Sequence, residues 1–100
     1  MIVEYIRYKV ADSDGLVRAY QLAAQSLEAS VHCLGFELSR CSESATEFTL
    51  RIEWDSADGH LKGFRSSPEF RSFFAAIQPF VKDIQEMRHY ELTDVRWSRS

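Results

Sequence analysis

The chain has 100 residues, 45% of them hydrophobic and 27% charged, with a net charge of −3. That is the length and composition of one globular domain, and a domain so small buries only about 60–65% of its unfolded surface, so a partner subunit is a ready source of stability. No two Lys or Arg residues are adjacent, which argues against a protein built to bind nucleic-acid phosphates. No apolar stretch is long enough to cross a bilayer, and Glu4 sits where a signal peptide would carry positive charge. A cytoplasmic protein with neither nucleic acid nor membrane as partner is expected.

Residues 2–10 alternate, with Ile2, Glu4, Ile6, Tyr8 and Val10 on one side and Val3, Tyr5, Arg7 and Lys9 on the other. Neither side is purely polar, which predicts a strand covered on both faces. Asp12-Ser13-Asp14-Gly15 breaks the strand and offers helix caps. Leu16, Tyr20, Ala23, Leu27 and Val31 then recur at spacings of three and four, predicting an amphipathic helix that ends near Ser30 to His32. Residues 33–41 predict a second strand with Leu34, Phe36 and Leu38 on one face. After the polar link Ser42 to Ala45, residues 47–55 alternate most clearly: Phe48, Leu50, Ile52 and Trp54 against Glu47, Thr49, Arg51, Glu53 and Asp55. Two alternating runs joined by a short link predict an antiparallel hairpin.

Ala57, His60, Leu61 and Phe64 have helical spacing, and Gly59 and Gly63 predict that this helix is short. Ser66-Ser67-Pro68-Glu69 restarts a helix, whose stripe runs Phe70, Phe73, Phe74, Ile77, Val81 and Ile84, with a kink or an end expected at Pro79. Residues 86–92 predict the last strand, alternating Met87, His89 and Glu91 with Arg88, Tyr90 and Leu92; which face holds His89 is left open. The domain is expected to span residues 1–93, with 94–100 a polar tail carrying Val95 and Trp97. The order is that of an α+β, ferredoxin-like βαββαβ fold, with both helical crossovers on one face of a four-stranded antiparallel sheet. The opposite sheet face, with Thr49, Arg51 and Glu53, needs a cover, and a second copy would supply it as a homodimer.

Cys33 and Cys41 lie at the two ends of one predicted strand, roughly 26 Å apart, whereas a disulfide needs Cα atoms about 4.4–6.8 Å apart. No CxxC or HxxxH spacing marks a zinc site, and no metal is expected. Nucleophile elbows and Gly-rich phosphate loops are also missing from the sequence.

The stretch from Leu50 through Trp54, His60 and Phe64 to Ser67-Pro68-Glu69-Phe70 resembles the antibiotic biosynthesis monooxygenase family, in which a strand ending in an aromatic leads to a short helix and a Ser-Pro-x-Phe step. The resemblance implies a dimeric α+β barrel and a small aromatic or quinol substrate oxidised by O₂ without a bound cofactor. Two departures matter. Many quinol-oxidising members carry histidines just before the Ser-Pro step and directly after the Pro, where this chain has Phe64 and Glu69. The Asn, Trp and His of the haem-degrading branch would fall at Val3 to Tyr5, Phe64 and Phe74, so the resemblance does not extend to haem degradation.

The implied pocket lies between sheet and helices. Its expected lining is Phe48, Ile52, Trp54, Phe64, Phe70, Phe73 and Phe74, whose rings suit a flat aromatic ligand, although seven phenylalanines also suffice to fill a small core. His60, one turn before Phe64, is the candidate base; Trp54 is a candidate N–H donor or stacking wall, and His89 a third catalytic candidate. Tyr8 is placed at the pocket mouth, Arg51 and Glu53 in ion pairs on the other sheet face, and His32 at a helix end as a cap. A non-catalytic dimeric module that binds a small molecule or another protein is the alternative reading.

Overall fold

The structure, a computed structural model, describes residues 1–99. Strand β1 (Ile2–Lys9) leads to helix α1 (Ser13–Ala29), then β2 (Cys33–Arg40), β3 (Glu47–Trp54), a π-helical segment (Gly59–Phe64), α2 (Pro68–Ile77), a 3-10 segment (Gln78–Asp83) and β4 (Ile84–Glu91). All strand pairs are antiparallel, in the order β2-β3-β1-β4, so the fold is ferredoxin-like α+β with β1 and β3 at the centre.

Local chemistry explains the boundaries. The Asp12 carboxylate accepts from the Gly15 N–H at 2.9 Å and starts α1. The Ser67 hydroxyl accepts from the Phe70 N–H, with Pro68 following at the first helical position of α2. Pro79 lacks an N–H, and α2 gives way to the 3-10 segment just before it. The expected stripe is cut there, and Ile84 opens β4 rather than closing the helix.

The core lies between the sheet and the two helices. Phe48, Leu50, Ile52 and Trp54 are all buried there, as the alternation of β3 predicts, and Leu16, Tyr20, Ala23 and Leu27 of α1 meet them. On the opposite face Arg51 pairs with Glu53 at 2.7 Å and with Glu37 at 3.6 Å, as expected of that row.

Besides Phe74 and Val81 of the expected helical stripe, which are 42% and 36% exposed, three further positions expected to face inward are not in the core. Val31 lies beyond the end of α1 and is 85% exposed. Leu61 is exposed, because the wider π-helical turn buries His60 and Phe64 but not their neighbour. Leu34 is 52% exposed: the β2–β3 register shifts between Cys33 and Gly35, and the irregularity packs Cys33 against the core while Leu34 turns out. Beyond β4, Val95 and Trp97 are exposed; Ser100 of the expected tail lies outside the described residues. Among the described residues no helix is long and apolar enough to cross a membrane.

Candidate active site

Four elements converge at one end of the space between sheet and helices. β1 supplies Glu4, in the same row as Ile2, Ile6 and Tyr8 but carrying a carboxylate that is only 3% exposed. Its partner across the β1–β4 ladder is His89, which therefore lies on the helix-facing side of the sheet. β3 ends there with Trp54, and the π-helical segment brings His60, also 3% exposed.

The π turn is held from both ends. The His60 N–H donates to the Ser56 carbonyl at 3.2 Å, and the Arg65 N–H donates to the His60 carbonyl at 3.1 Å, the five-residue step of a π-helix. Behind it sits His32, which is not a helix cap. Its Nδ1 lies 3.0 Å from the Asp55 carboxylate, and this bond holds Asp55 below the usual carboxylate range. A methyl group at Gly59 would overlap Asp55, and one at Gly63 would overlap the His32 ring. The two glycines that weaken a helix on propensity are thus the contact that lets His32 pack against this turn and fix it over the sheet.

The imidazole of His60 stacks on the Trp54 indole, with ring centroids 4.5 Å apart and planes 15° from parallel. The Trp54 Nε1–H donates to Glu4 Oε1 at 3.1 Å. His60 Nε2 is 3.4 Å from the same oxygen, and His60 Nδ1 is 2.8 Å from His89 Nε2, which in turn is 3.6 Å from Glu4 Oε2. Burial pushes His60 down to about 4, assisted by the charges of His89 and Arg65, so its imidazole is neutral at pH 7. Burial raises Glu4, partly offset by the Trp54 hydrogen bond and the charges of His89 and Arg65. Each charged form is thus disfavoured by the same dry surroundings, and His89, the more exposed member, links the pair to solvent.

These groups border a cavity of about 160 Å³, lined by Glu4, Ile6, Ile52, Trp54, His60 and Phe64 on one side and by Arg65, Phe70, Phe73, Phe74 and Ile77 on the other, with Val81, Ile84 and Met87 at its β4 end. Phe64 meets Phe70 and Phe73 edge-on at 5.5 and 5.6 Å, so the wall is a packed aromatic cluster.

Of the residues chosen from sequence, the structure therefore brings together Trp54, His60, His89, Ile52, Phe64, Phe70 and Phe74. Tyr8 and Phe48 are not with them. Tyr8 is buried at the other end of β1, where its hydroxyl meets that of Tyr20 at 2.5 Å and burial pushes it up to about 12. Phe48 is its cross-strand neighbour and lies under the Arg40 guanidinium at 5.2 Å. Glu4 was missed, although a lone carboxylate in the row Ile2, Ile6, Tyr8, Val10 was the available signal. Arg65 was missed as well.

Glu4, His60 and His89 can each offer one donor atom within 4.8 Å of the others, the grouping among the described residues that could hold a metal ion. No spacing along the chain marks this group, because the three reach one place only through β1–β4 pairing and the π turn.

A sequence model of the antibiotic biosynthesis monooxygenase family matches residues 1–76. The chain belongs to this family. Its relatives include YczJ of Bacillus subtilis strain 168, an uncharacterized protein that is 26% identical over 73 residues, covering 73% of this chain and 77% of the relative. Among solved structures, a Bordetella bronchiseptica protein given the same family name superimposes with a TM-score of 0.79 at 22% identity, over 92% of this chain and 96% of its own. A variant of SnoaB, a cofactor-independent oxygenase from Streptomyces nogalater, gives a TM-score of 0.74 at 11% identity, over 96% of this chain and 94% of its own. At these identities the likeness is one of fold.

Proposed function

We propose that the protein is a cofactor-independent monooxygenase that oxidises a small phenol or quinol in the cavity beside Trp54. The observation that carries this reading is a neutral imidazole, stacked on an indole, at the edge of a dry aromatic pocket. With the His60 Nδ1–H donating to His89, Nε2 holds the free lone pair and takes the proton of the substrate hydroxyl. The resulting phenolate gives an electron pair to O₂, forming a C–O bond and a hydroperoxide. Cleavage of the O–O bond with loss of the proton on that carbon yields a carbonyl and water. Substrate and O₂ thus become quinone and water, with all four electrons drawn from the substrate.

The pocket volume supports a one-ring substrate, since apolar cavities of about 150 Å³ accommodate benzene. Arg65 on the lining favours the anionic phenolate. The test is O₂ consumption with a panel of phenols and hydroquinones. His60→Ala is expected to lower turnover by about 10²–10⁴-fold, the usual worth of a positioned base. Full activity in that variant would remove His60 from the chemistry; binding of the aromatic compounds without turnover in wild type would favour the non-catalytic binding module.

We also infer a homodimer formed through the open sheet face. Tyr5 and Tyr90 stack edge-on there at 5.5 Å, beside Val3, Arg7, Thr49 and Leu92, around a groove of about 440 Å³. Light scattering should give twice the chain mass, and Tyr5→Asp should give the monomer.

A further inference from the structure

We infer that Glu4, His60 and His89 form a binding site for a divalent transition-metal ion, with the ion's open positions turned toward the cavity. The donor set is two imidazoles and one carboxylate, a combination that suits zinc, iron(II), nickel or copper and is too nitrogen-rich for magnesium or calcium. Metal–donor bonds of about 2.1 Å at angles of 90–110° set neighbouring donors roughly 3.0–3.4 Å apart. His60 Nδ1 and His89 Nε2 are 2.8 Å apart, and His89 Nε2 and Glu4 Oε2 are 3.6 Å apart, so the two measured edges bracket that requirement.

The surroundings match what holds such ligands in place. Beside the donor atoms, His60 Nε2 lies 3.4 Å from Glu4 Oε1, and the same oxygen accepts from the Trp54 Nε1–H at 3.1 Å. The Trp54 indole orients both ligands, through its hydrogen bond to Glu4 and its stacking on the His60 ring at 4.5 Å. His89, about a third exposed, gives the ion an entry path that Glu4 and His60 alone would not.

Metal binding and proton transfer exclude each other, because a neutral imidazole has one lone pair. The ion needs it on His60 Nδ1, with the proton on Nε2; the base needs it on Nε2. An occupied site is therefore a switched-off site for the chemistry proposed above. The binding inference itself does not depend on that chemistry, since it is read without substrate.

The experiment is isothermal titration of chelator-stripped protein with zinc chloride alone, repeated with cobalt(II) to record its visible spectrum. One ion per chain is expected, with micromolar or tighter affinity. His89→Ala, at a partly exposed edge-strand position, should keep the fold and weaken binding at least tenfold, and Glu4→Gln should do the same. A Cys33→Ser/Cys41→Ser double variant should bind as tightly as wild type, and the cobalt spectrum should lack a thiolate charge-transfer band. Millimolar affinity, indifference to His89→Ala, or loss of binding in the cysteine variant would each overturn the site. Absence of oxygenase turnover alongside tight zinc binding would count against the catalytic reading alone.

Discussion

The two ends of β1 carry the same kind of material and do different things with it. Around Tyr8 a polar pair is buried among apolar side chains: the Tyr8 and Tyr20 hydroxyls bond each other at 2.5 Å, and burial pushes both phenols up, beyond any physiological titration. Around Glu4 the polar groups are a buried carboxylate, the buried imidazole of His60 and the partly exposed imidazole of His89, whose bonding capacity exceeds what they supply one another, and a cavity of about 160 Å³ adjoins them. The first end is closed chemistry that specifies packing. The second keeps proton-exchanging groups beside space that another molecule or ion can fill. Burial alone does not mark a functional site; burial of groups that remain able to gain or lose a proton beside a cavity does.

That contrast can be tested by making matched changes at both ends. The largest expected effect is Phe64→Ala, which removes a fully buried ring from the cavity wall and should cost about 3–5 kcal/mol in urea unfolding. A much smaller cost would mean that the aromatic cluster is already loosely packed.

Next comes pH, measured with a chelator present. The folded-state value of His60 is depressed to about 4 from 6.5, so the unfolded chain binds the proton more readily. Stability is therefore full above pH 6.5 and falls by about 3 kcal/mol as pH drops through 4. Glu4, raised by burial, works in the opposite sense: it favours the folded state at low pH and loses that benefit as pH rises through its folded value. With the charges of His89 and Arg65 acting on His60 and Glu4 only 3.4 Å away, the decisive comparison is His60→Asn, which should flatten the fall between pH 6.5 and 4. An unchanged profile would place the acid sensitivity elsewhere.

Trp54→Phe should cost about 2 kcal/mol, because it leaves Glu4 without its indole donor. At the other end, Tyr8→Phe should cost only about 1 kcal/mol and leave turnover and zinc affinity unchanged. The Tyr8→Phe/Tyr20→Phe double variant should cost less than the two singles together, since each single strands the other hydroxyl. A catalytic defect in Tyr8→Phe would erase the distinction between the ends.

The features legible from the chain alone are those governed by short-range periodicity. The alternation of Phe48, Leu50, Ile52 and Trp54 placed that row in the core, the Ser67-Pro68 cap started α2, and Pro79 marked its end. His60 and Phe64, four apart, were legible as one inward face. Pairing between distant segments sets the rest, and it is visible only in the folded chain. Alternation tells which residues of β4 share a face but not which face is buried; the Glu4–His89 pairing in the ladder settles that. The register shift at Leu34 and the docking of His32 against Gly59 and Gly63 likewise depend on neighbours far along the chain. Tyr8 and Phe48 sit in the rows that also carry Glu4 and Trp54, yet at the opposite end, because a strand extends about 3.3 Å per residue and periodicity does not say where along it a cavity opens.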